Sequence, residues 1–169
     1  MKYRVMNKQQ NSTKCIVCGL ENDLGLKASF YELENGELVA IFKPIEEHQS
    51  YPGRMHGGIS SAILDEVIGR TMLIKDKNMW GVTAEFSLKY RKPVPLNQEL
   101  KVVGRITKDS KRIFEGTGEI ILLNGDVAVT ASGKYIKMPL DKITDSEFNE
   151  DEWSVFHSGD DPHEIELNY

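Results

Sequence analysis

The hydrophobic period of the chain changes several times from its amino end. Residues 1–26 are polar and rich in Asn, Gln and Lys, and read as an irregular or partly helical lead-in. From Lys27 the pattern becomes strand-like: KASFYELE, then Asn35-Gly36, then ELVAIFKP. Asn-Gly between two such runs is the strongest short-range hairpin signal, and Pro44 closes the second run because proline cannot continue a ladder. The loop EEHQSYPGRMHGG carries the breakers Pro52-Gly53 and Gly57-Gly58. It leads into ISSAILDEVIGRTMLIKDK, whose apolar residues spread almost all round a helical wheel. That distribution predicts one long buried helix over about residues 57–75.

Three long strand-like runs follow, WGVTAEFSLKYRKPV, ELKVVGRITKD and RIFEGTGEIILL, and a fourth, DVAVTASGKYIKM, comes after Asn124-Gly125. The links PLNQ, KDSK and NGD are short, which predicts antiparallel pairing of consecutive strands, since a parallel crossover needs a dozen residues or more. The expected order is a hairpin, one buried helix, then a meander of three or four strands. The economical arrangement is an α+β fold, a curved antiparallel sheet wrapped around the central helix. The expected division is a lead-in at 1–26, a body at 27–140 and a tail at 141–169.

Composition narrows the classes. With 169 residues, 40% apolar and 28% charged, the chain is an ordinary globular domain and not a collagenous or disordered one. No apolar run approaches the ~20 residues of a membrane span, and the first residues lack the apolar stretch of a secretory leader. Two cysteines do not make a disulfide scaffold, so a cytoplasmic setting is expected. Residues 141–169 hold ten acidic side chains against Lys142 alone, which leaves residues 1–140 mildly basic. That balance suits a phosphate-bearing small ligand and neither an extended nucleic acid nor a membrane. The tail carries Phe148, Trp153, Val155 and Phe156 among its charges; it is either a solvated tail or one docked by its aromatics.

Candidate chemistry converges on the helix. Gly57-Gly58 stands where the loop becomes helix, and the first N–H groups of a helix have no internal acceptors. The pair is either a tight turn or a polarising site for an oxygen that gains charge during reaction. Asp65 lies about two turns in, with Ser61, Ala62, Ile68 and Gly69 three or four residues away and no cation among them. A carboxylate so placed is a candidate for a raised pKa, or simply an acid that reaches water. Glu66 has Arg70 at i+4 and reads as a helix-face ion pair. His56 is either a capping side chain or a general base. Lys89, Arg91 and Lys92 end one strand run, and Lys108, Lys111 and Arg112 flank the next turn. These could hold phosphates or be solvated strand ends.

GRMHGGISSAILDEVIGRTML, followed by VTAEFSLKYRKPVPL and DVAVTASGKYIKM, resembles the hotdog-fold acyl-CoA thioesterases of the phenylacetate-pathway (PaaI-like) type over roughly residues 15–138. The most specific part is His56, Gly57 and Gly58 with Asp65 nine positions after the histidine, and CIVCGLENDLGL resembles members with a Cys-x-x-Cys-Gly start. The resemblance implies a hotdog fold and an edge-to-edge homodimer, often doubled to a homotetramer, with the active site at the dimer interface. It implies a thioester carbonyl polarised at Gly57 and Gly58, with Gly58 N–H facing it. The partner's Asp65 would serve as general base or nucleophile, with Thr83 assisting. Gln49 and Ser50 are the candidates for the polar residue that precedes His-Gly-Gly. The phosphates of CoA would meet Arg91, Lys92, Lys108, Lys111 and Arg112. Neither a metal nor another cofactor is expected for this reaction. Cys15 and Cys18 are half a zinc site, completed only by ligands such as His157 or His163 or by another subunit, or else inert thiols. The alternatives are a non-catalytic acyl-CoA-binding hotdog module and, more remotely, a hotdog dehydratase.

Overall fold

The computed structural model describes residues 1–144 and 152–168. Its strands are β1 (Lys2–Lys8), β2 (Asn11–Ser12), β3 (Ser29–Leu33), β4 (Leu38–Phe42), β5 (Met79–Tyr90), β6 (Leu100–Asp109), β7 (Ile113–Ile121), β8 (Val127–Pro139), β9 (Trp153–Ser154) and β10 (Glu164–Glu166). Between β4 and β5 lie helix α1 (Gly57–Arg70) and the short α2 (Met72–Lys75). Eight strands form one antiparallel sheet in the order β10-β1-β3-β4-β6-β7-β8-β5, and β2 pairs separately with β9.

The sheet wraps α1, as the all-round apolar pattern requires. Ile63, Leu64, Val67 and Ile68 are fully buried against Phe30, Leu38, Val102, Phe114 and Tyr135. The approach is close because glycines lie beneath the helix. A Cβ on Gly104 would stand 2.7 Å from Val67 Cγ1, and one on Gly116 would stand 2.6 Å from Ile68 Cγ2. The Asn35-Gly36 hairpin forms as expected, with Gly36 at φ 82° joining β3 to β4.

Three expectations need correction. The lead-in is irregular only over residues 13–26, which are turns and bends; Lys2–Lys8 is a strand whose Tyr3 and Val5 pack on the outer face of the sheet. The helix is not continuous over 57–75. It breaks at Thr71, whose Oγ1 donates to Ile68 O at 2.6 Å, a side-chain bond that competes with the helical ladder. The strands after the helix do not form one meander. β6, β7 and β8 do, but β5 pairs with β8 at the edge while β6 pairs with β4. The link through Pro93 and Pro95 is therefore a crossover. It is tied down by Met55 N–H to Val94 O, 2.9 Å, and Asn97 N–H to Pro44 O, 2.7 Å, so it passes beside the start of α1.

Of the two readings of the tail, the docked one holds over residues 152–168. β10 pairs with β1, and Ile165 and Leu167 bury against Tyr31, Val39, Val103 and Ile121 on the outer face. Asp161 takes Lys8 Nζ at 2.6 Å and Tyr31 OH at 2.9 Å. Trp153 packs edge-on against Trp80, with ring centroids 5.1 Å apart. Val155 and Phe156 are exposed, and Phe148 lies outside the described residues. Among the described residues, the sheet ends in the three-residue β10 on one side and the twelve-residue β5 on the other, each with its outer side unpaired.

Candidate active site

Two stations lie along α1. The first is its start. His56 is the N-cap, and its Nδ1 accepts Gly58 N–H at 2.8 Å. Its carbonyl accepts Ile59 N–H and Ser60 N–H. This corrects the expectation that Gly58 N–H faces a ligand, because the imidazole already occupies it. Gly57 N–H is the donor left without an acceptor among the described residues. Tyr90 OH donates to Gly57 O at 2.8 Å and anchors the end of β5 to this turn. Nδ1 is an acceptor here, so His56 serves as a cap in this arrangement and is not poised as a base.

Beside this turn is a pocket of ≈ 340 Å³ walled by Ser50, Arg54, Gly57, Tyr90, Arg91 and Lys92. Ser50 thus lines the pocket. Gln49 does not, since its Oε1 is spent on Gly53 N–H at 3.0 Å, closing the loop.

The second station is Asp65. Thr83 Oγ1 donates to its Oδ1 at 2.8 Å, and Tyr135 OH donates to the same oxygen at 3.0 Å. Tyr135 is fully buried and stacked on Phe114, with centroids 5.0 Å apart, so its hydroxyl is held in place. Burial raises the Asp65 carboxyl above the usual carboxylate range; the two hydroxyls oppose that shift, and the charge of Glu66 adds to it. Asp65 opens on a groove of ≈ 390 Å³ with Val82, Trp80, Ile143 and Trp153 in its walls.

Glu66 and Arg70 are not the solvated helix-face pair that their spacing suggests. Arg70 is 2% exposed. Its Nε meets Glu66 Oε1 at 2.6 Å, its Nη1 donates to Gln10 O at 2.8 Å, and the ring of Phe30 lies 4.2 Å from its guanidinium carbon. The lead-in and tail strands bury it, which no local pattern reveals.

The basic residues do not form one cluster. Arg91 and Lys92 lie at the helix-start pocket, where Lys92 is paired with Asp126 at 2.5 Å. Lys108, Lys111 and Arg112 lie at the opposite end of the sheet, where Ile113 pairs with Ile136 and Ile136 with Val82. Lys108 meets Glu115 at 3.4 Å. Three residues of the two stations were missed by the sequence reading: Tyr135, Tyr90 and Arg54. Arg54 could have been found as a cation two residues before His56. Nothing local marks the hydroxyl contacts of the tyrosines, whose partners lie 70 and 33 residues away.

Among the described residues, no helix is long and apolar enough to cross a membrane. Residues 52–129 match the family described as the thioesterase superfamily. A crystal structure of a thioesterase superfamily protein is 30% identical, with a TM-score of 0.67, over 72% of this chain and 59% of that one. Human acyl-coenzyme A thioesterase 13 is 23% identical over 101 residues, 60% of this chain and 67% of its own length. A hypothetical thioesterase from Streptococcus pneumoniae, solved with coenzyme A, shares the fold at 21% identity and a TM-score of 0.57, over 62% of this chain and 82% of that one.

Proposed function

From a chain that matches the thioesterase superfamily over residues 52–129 and has the hotdog fold, we propose an acyl-CoA thioesterase whose active site is completed across a two-fold dimer. The observation that carries this reading is Asp65: a half-buried carboxylate, raised by burial, oriented by two hydroxyls and open to a groove. Gly57 and Asp65 are eight residues apart on one helix, roughly 12 Å along its axis. A single thioester cannot touch both within one chain.

The unpaired edge of β5 supplies the remedy. Thr83 stands beside Asp65 and Tyr90 beside Gly57, both on β5. Antiparallel pairing of β5 with its copy, in the register that sets Thr83 against the partner's Tyr90, brings each Asp65 to the partner's Gly57. The same register sets Val82 against the partner's Arg91, so Lys111 and Arg112 approach the partner's Arg91 as one basic rim for the phosphates of CoA. The acyl group then lies along Trp80, Val82 and Trp153.

In this arrangement Gly57 N–H donates to the thioester oxygen as negative charge develops on it. Asp65 either removes a proton from the attacking water or attacks the carbonyl itself. Collapse of the tetrahedral species expels the CoA thiolate, a good leaving group, and gives the free acid directly or, where Asp65 attacked, a mixed anhydride that water hydrolyses to the acid and the Asp65 carboxylate; a carboxylate and one donor thus suffice without a serine triad.

The test is thiol release from a panel of acyl-CoAs, followed by subunit mixing. Asp65→Asn and Gly57→Val are each expected to be nearly inactive as homodimers. Co-assembled at random, they regenerate one intact site in each heterodimer, about a quarter of wild-type activity. No recovery on mixing would place both groups of a site in one chain. CoA binding without thiol release by the wild type would make the protein a binding module.

A further inference from the structure

The Cys15-x-x-Cys18-Gly19 turn lies against α1, away from any role in the hydrolysis. Gly19 N–H donates to Cys15 O at 2.8 Å, and a Cβ on Gly19 would stand 2.4 Å from that oxygen, so the turn closes only around glycine. Closure turns both sulfurs to the same side. Val17 N–H and Cys18 N–H point at Cys15 Sγ, at 3.3 and 3.5 Å. Ser12 N–H and Arg70 Nη2 point at Cys18 Sγ, at 3.4 and 3.1 Å. Four donors thus surround the two sulfurs. Facing them from α1 is Glu66, and one ligand atom from each of Cys15, Cys18 and Glu66 lies within 4.8 Å of the others.

We propose that Cys15, Cys18 and Glu66 bind a zinc ion that fastens the lead-in segment to helix α1. Zinc takes thiolate sulfur at about 2.3 Å and carboxylate oxygen at about 2.0–2.2 Å, so neighbouring ligands of a tetrahedral ion stand roughly 3.3–3.8 Å apart, a spacing the cluster reaches with small rotations of the side chains. Two thiolates select a soft or borderline cation over magnesium or calcium. The charges close: two thiolates and the Glu66 carboxylate balance the dication together with the Arg70 guanidinium, which is buried at their side. Arg70 then acts as the outer partner that orients Glu66 and one sulfur, as hydrogen-bond donors around metal ligands do. Cys15 and Glu66 are only half-buried, so water completes the fourth position. Histidine is not among these ligands, unlike the completion by His157 or His163 considered from the sequence. The ion would hold α1 at the residue next to Asp65, and would fix the guanidinium face on which Trp80 and Trp153 rest.

The experiment uses the full chain, reduced and prepared without chelator. Zinc is expected at about one ion per chain, with both thiols protected from a thiol reagent until EDTA is added. Cobalt in place of zinc is expected to give a near-ultraviolet sulfur-to-cobalt charge-transfer band and the visible bands of a tetrahedral ion. Zinc should raise the melting temperature of the stripped protein by roughly 5–10 °C. Cys15→Ser keeps the Arg70, Glu66 and Cys18 contacts, yet should lose the cobalt bands and the thermal shift. Glu66→Gln should weaken zinc at least tenfold. Two freely reactive thiols in excess zinc, or a disulfide that forms and reverses regardless of the metal, would overturn the proposal. Cobalt spectra in Cys15→Ser equal to wild type would overturn it too, and an unchanged affinity in Glu66→Gln would remove the third ligand.

Discussion

The two stations on α1 differ in what makes them chemical. At the helix start the groups are backbone: one N–H capped by His56, one left over at Gly57. Nothing there ionises to become reactive, and the position follows from chain geometry alone. At Asp65 the group is a side chain whose charge state is set by its surroundings, with burial pushing one way and two hydroxyls the other. A donor for a developing charge needs rigidity, which the helix provides. A base needs a tuned affinity for a proton, which takes groups brought from β5 and β8.

The sharpest break in this contrast is Asp65→Asn. It removes the tuned group and should cost roughly 10²–10⁴ in turnover, read as thiol release. Its stability should move the other way. A carboxyl whose folded pKa is raised costs stability once the pH exceeds its unfolded value. The melting temperature of the variant should therefore exceed that of the wild type at neutral pH. The difference opens as the pH rises from the usual carboxylate range to the raised folded value, then stays level. Near-wild-type turnover would take Asp65 out of the mechanism.

The next test separates the two glycines. Gly57→Val obstructs the free donor and should lower turnover on the order of 10²–10³. A Cβ at Gly58 meets only His56, at 3.0 Å from Nδ1. Gly58→Ala should thus leave turnover within a few-fold and cost about 1 kcal/mol through the strained cap, a fall of about 2–4 °C in melting temperature. If Gly58→Ala proves the more damaging to turnover, the carbonyl sits at Gly58 after all.

Tyr135→Phe sharpens the description of the second station. Losing a donor to the ionised form raises the Asp65 pKa further, so the acid limb of the kcat profile should move up by about one pH unit, with roughly tenfold lower turnover. An unshifted limb would mean that Asp65 is not the titrating group.

The smallest effect is expected from Lys111→Gln with Arg112→Gln. KM for acyl-CoA should rise a few-fold with kcat preserved, and the salt dependence of KM should flatten. A KM equal to wild type at low salt would place the phosphates elsewhere.

The features legible in the sequence are those with local causes. The hairpin follows from Asn35-Gly36, the buried helix from its apolar wheel, and the two stations from His56-Gly57-Gly58 and from an acid with no nearby cation. The losses all arise from contacts between distant segments. Arg70 at i+4 from Glu66 is indistinguishable, one helix at a time, from a surface pair, and only the strands at either end of the chain bury it. The alternation of β8 marks Tyr135 as inward-facing without saying that its hydroxyl meets α1. The link through Pro93 and Pro95 reads as the short turn PLNQ only when RKPV is counted into the strand; residues 91–99 form a nine-residue link, and the pairing of β6 with β4 makes it a crossover.

The strand β10 has a consequence for how far assembly can proceed. A sheet with two bare margins is a bifunctional monomer and can add copies at both ends without limit. Here one margin ends in β10, a three-residue strand paired with β1 from Lys2–Glu166 to Arg4–Glu164. In the proposed pairing through β5 the only margin left to each copy is the three-residue β10, too short an edge to propagate a ladder, so the product of that pairing is a closed pair instead of a fibre.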